Sequence, residues 1–114
     1  MQNLKKLWDA GIPIAMGTDA GNIGTLHGPS VFREMALMHD AGLTPLEVLR
    51  SATVNGARAM GREADLGTIA MGKLADFVLL DADPLADVAN LSHAAKVIKG
   101  GVVYDPKALI DGIR

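Results

Sequence analysis

The stretch GIPIAMGTDAGNIGTLHG, residues 11–28, decides how this chain is read. Its first half, Ile12 to Met16, is an unbroken apolar run of strand length. That is the pattern of a parallel strand covered on both faces rather than of an alternating, half-exposed one. Pro13 has no backbone N–H and fits such a strand only near its beginning. The run stops at Gly17-Thr18-Asp19 and opens into a loop carrying Gly21, Gly24 and Gly28. In α/β folds functional groups stand at the carboxyl ends of parallel strands, where loops open onto a crevice. Asp19 occupies that position. The same residue also suits a turn or a helix cap, which Asp often serves, and the local sequence leaves the two readings open. The loop is not a phosphate cradle, because no Gly-Lys-Ser/Thr follows and the glycines are not spaced Gly-x-Gly-x-x-Gly.

A chain of 114 residues has room for one domain at most. Hydrophobic residues make up 49%, enough for a core, and with 4% aromatics that core must be built from Ala, Leu, Val, Ile and Met. The net charge of −2 lacks the basic surplus of a nucleic-acid binder. Without cysteine there are neither disulfides nor thiolate metal sites. The opening MQNLKKLWDAG has no apolar run behind its lysines and is not a signal peptide. No apolar stretch approaches the roughly 20 residues of a membrane span. A soluble, cytoplasmic protein without nucleic-acid or membrane partners is the expectation.

Leu4, Leu7 and Trp8 recur at helical spacing and predict a short amphipathic helix ending at Gly11. Val31, Met35 and Met38, with Phe32 beside them, predict a second helix running to Gly42. Thr44-Pro45-Leu46-Glu47 reads as a capping box with Thr44 as N-cap, Pro45 at the first helical position and Glu47 reaching back. Leu46, Leu49 and Ala52 continue a helical face, and Thr53 restarts a short helix through Ala57 to Gly61. From Leu66 the character changes. Phe77–Leu80 is an apolar β-type run, and KVIKGGVVYDP is a hairpin signature turning at Gly100-Gly101. Asp76, Asp81 and Asp83 read as turn chemistry, and the sequon at Asn90-Leu91-Ser92 as chance. Glu34 sits where a negative charge suits a helix N-terminus. His39 and His93 have no partner at metal-ligand spacing and read as surface histidines.

GIPIAMGTDAG, a loop with His27 and Arg33-Glu34, AGLTPLEVLRSATVNGARAMG, LGTIAMGKLADFVLLDADPL and VIKGGVVYD follow in order. Together they resemble the C-terminal part of the amidohydrolase superfamily, metal-dependent hydrolases built on a (β/α)8 barrel, in its imidazolonepropionase-like and Xaa-Pro-dipeptidase-like members. The resemblance implies an α/β fold: a fragment of a TIM barrel plus strands of a small flanking β-sandwich. Residues 1–64 would hold the last barrel strand and the C-terminal helices, and residues 65–114 the C-terminal β segment of the sandwich. It makes Asp19 a ligand of a catalytic divalent metal, zinc by expectation, and the acceptor of a proton from an attacking water. It places His27 near the pocket mouth, as a substrate contact or a helix cap, and Thr53 and Asn55 in a packing segment. The substrate expected is a small amide, cyclic amide or dipeptide. A heterocycle deaminase and a non-catalytic interaction or scaffold domain derived from such an enzyme are the alternatives.

The resemblance also implies what the chain lacks. The family's His-x-His pair, its bridging Lys or Glu and two later histidines belong to earlier strands, and no His-x-His occurs here. A barrel needs about 250 residues. The chain therefore reads as a C-terminal fragment that is catalytically silent alone, binds no metal tightly with one carboxylate, and self-associates into a homo-oligomer through unpaired strand edges.

Overall fold

The computed structural model describes residues 2–112. Five short α-helices precede, flank and follow a three-stranded antiparallel sheet. Helix α1 (Gln2–Asp9) ends where predicted, with Gly11 in left-handed backbone at φ 77°. Helix α2 (Pro29–Asp40) begins on Pro29 and leads to Gly42 at φ 104°. Helix α3 (Pro45–Arg50) opens on the predicted capping box. The Thr44 N–H donates to Glu47 Oε2 at 2.7 Å, and the Glu47 N–H to Thr44 Oγ1 at 3.3 Å. The Thr44 N–H, above the other contributions, holds the Glu47 carboxyl below its ordinary value.

No break separates α3 from the next helix, contrary to the predicted restart at Thr53. The chain runs through a π-helical turn, Ser51–Asn55, into α4 (Gly56–Ala59). Of the predicted face Leu46, Leu49 and Ala52, Leu49 and Ala52 are half-buried and line a cleft. Leu46 is exposed, and the fully buried positions are Val48, Ser51, Asn55 and Ala57. Leu43 and Val48 are fully buried and join Met38 and Val88 in the core, on which Ile14, Met16 and Trp8 pack. Complete burial of each Leu or Val side chain stabilises by about 1.5–3 kcal/mol.

Strands β1 (Phe77–Leu80), β2 (Ala94–Lys99) and β3 (Val102–Tyr104) pair in the order β1-β2-β3, with Phe77 opposite Ile98 and Lys99 opposite Val102. Gly100 and Gly101 close the β2–β3 hairpin at φ 57° and 81°, two consecutive positive values that match the right-handed twist of the strands and that Gly adopts without strain. Asp83 serves a turn as expected, accepting the Leu85 N–H at 2.8 Å.

Two elements were not anticipated. A 3-10 helix, Val88–Ser92, capped by Asp87, brings Val88 into the core. Helix α5 (Pro106–Asp111) starts on Pro106 and is capped by Asp105.

The predicted strand Ile12–Met16 is the main correction. The segment has no regular secondary structure, and among the described residues no strand pairs with it. Nor is it covered on both faces: Ile14 and Met16 are half-buried against the core while Ile12 and Ala15 are exposed. A ladder requires a neighbouring strand, and the surface available here is a helix.

The molecule is also open. Its accessible surface is 7856 Å², against about 6,000 Å² for a compact monomer of this mass. Its radius of gyration is 14.9 Å, against about 13 Å for a compact domain of this length. A cleft of about 730 Å³ lies between α2, the α3–α4 helix and the sheet, lined by apolar side chains including Phe32, Met35, Met60 and Val97. Among the described residues no helix is long and apolar enough to cross a membrane.

Candidate active site

The run from Ile12 to Met16 is held by the π-turn. Ser51 Oγ and Asn55 Nδ2 both donate to the Ile14 carbonyl, at 2.8 and 2.9 Å, using its two lone pairs. Two residues on, the Met16 N–H donates back to the Ser51 carbonyl at 3.2 Å. Ser51 and Asn55 lie four apart on the buried face of the helix, so one helical surface supplies what a neighbouring strand would have supplied. The segment that leads to Asp19 is thereby fixed three residues before it.

Asp19 itself adopts left-handed backbone. Its φ of 49° is the one positive value at a non-glycine among the described residues. Such a conformation is uncommon and concentrates at functional positions, with Asp tolerating it better than most residues. The carboxylate is exposed. Asn22 Nδ2 donates to Oδ2 and, at 3.5 Å, to the Asp19 carbonyl, while Oδ1 accepts no hydrogen bond from the described residues. The Gly21 N–H donates to the Thr25 carbonyl and the Thr25 N–H to the Asn22 carbonyl, each at 3.0 Å, closing the loop on itself.

His27 is in the same loop and exposed. Its Nε2 lies 3.4 Å from the place a Cβ on Gly21 would take, so the imidazole stands over Gly21, two residues beyond Asp19. Glu34 is half-buried on α2. His39 Nδ1 contacts the Leu43 carbonyl at 2.8 Å and closes the turn after α2. Asn55 does the packing expected of it, and Thr53 Oγ1 donates to the Leu49 carbonyl at 2.6 Å within its helix. Asn22 and Ser51 were the residues that sequence reasoning passed over. Ser51 did leave a signal, a polar residue four before Asn55 and so on the same helical face.

As a donor set for a metal the described residues are incomplete. No three His, Asp or Glu side chains among them converge, whereas a catalytic zinc takes three protein ligands. Asp19 offers one. By themselves these residues do not fit a complete metal centre.

The amidohydrolase family model matches residues 1–104. The chain belongs to the amidohydrolase family. Among curated amidohydrolase relatives it is 38% identical over 113 residues to the imidazolonepropionase of Geobacillus kaustophilus, covering 93% of this chain and 26% of that protein. It is 40% identical over 115 residues to the imidazolonepropionase of Shouchella clausii, covering 90% and 25%. Among solved structures it superposes on a Xaa-Pro dipeptidase with bound methionine in its active site, with a TM-score of 0.82 and 34% identity over 90% of this chain and 25% of the other. It superposes likewise on molinate hydrolase, with a TM-score of 0.85 and 32% identity over 95% and 27%. The chain thus spans about a quarter of the length of the curated relatives it matches.

Proposed function

We propose that this chain is the part of a carbon–nitrogen hydrolase that carries Asp19 as metal ligand and proton acceptor. The observation that supports this is the exposed Asp19 carboxylate, set in left-handed backbone at the end of an anchored segment, in a chain of the amidohydrolase family. Residues 1–64 then correspond to the last barrel strand and following helices, and residues 65–114 to the C-terminal strands of a flanking sandwich. The substrates are small amides, cyclic amides or dipeptides, with His27 at the pocket mouth. In the assembled enzyme Asp19 contributes one oxygen ligand and takes a proton from the water that attacks the amide carbon. The same carboxyl then returns that proton to the departing nitrogen. The remaining ligands come from residues outside this chain. The excess accessible surface and the apolar cleft are where further polypeptide, or a second copy of the chain, packs.

The one-ligand donor set favours a second reading, a non-catalytic interaction domain derived from such an enzyme. One experiment separates the two. Residues 1–114 replace the matched quarter of the Geobacillus kaustophilus imidazolonepropionase, and the parent's own activity is measured with and without Asp19→Asn. The catalytic reading expects an active hybrid that the substitution slows by about 10²–10⁴-fold. A folded, metal-loaded hybrid that is inactive with Asp19 intact supports the interaction domain. A hybrid whose activity survives Asp19→Asn removes Asp19 from catalysis.

A further inference from the structure

We infer that Asn22 is a positioning residue: its side-chain amide holds the Asp19 carboxylate in one orientation, one oxygen engaged and the other free for a ligand. This deepens the reading of Asp19 given above and rests on it.

Three observations carry it. First, Asn22 Nδ2 grips Asp19 at both ends, at Oδ2 and at the backbone carbonyl, so it constrains the side chain and the left-handed main chain together. Short polar side chains visit that backbone region when local hydrogen bonds support them. Second, Asn22 is itself held. Its carbonyl accepts the Thr25 N–H inside the ring that the Gly21–Thr25 hydrogen bond closes, and the His27 imidazole stands over Gly21 beside it. Third, the donor is neutral. Each of the ion-paired aspartates, Asp9, Asp65, Asp76 and Asp105, has its charge countered by Lys or Arg. Asp19 has no such pair among the described residues and meets an amide instead. An amide fixes the carboxylate while leaving its full negative charge for a cation in front of it. Oriented hydrogen-bond partners of this kind set the geometry of metal-ligating carboxylates, and losing one typically lowers metal affinity or activity 10–100-fold.

A free aspartate on an exposed loop exchanges among three χ1 wells, whereas a gripped one keeps a single well. The test is therefore an NMR measurement of the two Hα–Hβ couplings of Asp19 in the full 114-residue chain, with Leu43 and Val48 methyl shifts confirming the fold. Asn22→Asp keeps the shape and any turn the side chain makes but exchanges the donor for an acceptor. Asn22→Ala removes the group. The inference expects two unequal couplings in the unmodified chain that converge on one averaged value in both variants. Averaged couplings in the unmodified chain overturn it, as do unequal couplings that persist in both variants. The Asp19→Asn hybrid separates the two failures. If that hybrid stays active while the couplings converge, the catalytic role falls and the positioning stands. If it is slowed while the couplings ignore Asn22, only the positioning falls.

Discussion

Two carboxylates show how differently the two halves of this chain are built. Asp76, at the foot of β1, is consumed by the fold. Its Oδ1 accepts the Gly100 N–H at 2.6 Å and its Oδ2 is engaged by Lys99 Nζ, so it clasps the hairpin turn. The Lys99 hydrogen bond first, and the Gly100 N–H second, hold its carboxyl below the ordinary aspartate range. Asp19 closes nothing beyond its own loop and keeps one oxygen open. Around Asp76 the partners come from the hairpin turn 23 and 24 residues further on, where β2 is already paired on both sides by strands. The run that leads to Asp19 takes its partners at Ile14 from a helix 37 and 41 residues away, where no strand pairs with it. On the proposed reading of Asp19 as a metal ligand, its open oxygen is what that role would use. A carboxylate spent on the hairpin turn is structure.

The largest test of that contrast is Asn55→Ala. Removing a buried donor from the Ile14 carbonyl should lower stability to urea by about 1–3 kcal/mol, with protection lost more at the Met16 amide than at the β2 amides. Equal losses in both places would erase the distinction between helix-supplied and strand-supplied partners. Acidification probes the other side. Asp76 and Asp105 both have lowered carboxyl values, Asp105 chiefly through its Lys96 hydrogen bond. A group depressed in the folded state adds stability above its unfolded value, and that stability fades as pH falls through the folded one. The protection of the Gly100 amide, its exchange rate relative to the intrinsic rate at the same pH, should therefore fall only as pH drops below about 3.8. The change should vanish in Lys99→Met, and a transition centred above pH 5 would contradict the clasp. The smallest effect is expected from Asp19→Gly. The left-handed backbone suits glycine, so unfolding should stay within about 0.5 kcal/mol of the unmodified chain. A loss as large as that of Asn55→Ala would place Asp19 in the structural class with Asp76.

What was legible beforehand was local. The Thr44–Glu47 box lies within four residues, the Gly100-Gly101 turn joins adjacent strands, and the Leu4-Leu7-Trp8 and Val31-Met35-Met38 spacings each describe a single helix. Each signal is complete in its own window, and each element stands where it was expected. The Ile12–Met16 run is the opposite case, because its signal is not complete in its own window. Apolar character predicts a partly buried strand, and Ile14 and Met16 are half-buried, but a strand exists only with a partner, which the described residues do not supply. The inward face of α3 and its π-turn was legible only in part, because Ser51 and Asn55 look polar until the Ile14 carbonyl is seen to take up their donors. The 3-10 helix at Val88 and helix α5 were missed because five or six residues leave too little periodicity to register.

By itself, then, the sequence determined the Thr44–Glu47 cap, the hairpin, the ends of the first two helices and the family. It also determined that a lone aspartate follows an apolar run, because all of these depend on neighbours a few residues apart. Only the tertiary structure decided that Ser51 and Asn55 anchor that run in place of a strand. It alone showed Asp19 turned into left-handed backbone and Asn22 gripping its carboxylate. Those outcomes depend on which backbone groups find partners across tens of residues, and hydrogen-bond satisfaction at that range follows from packing rather than from local pattern.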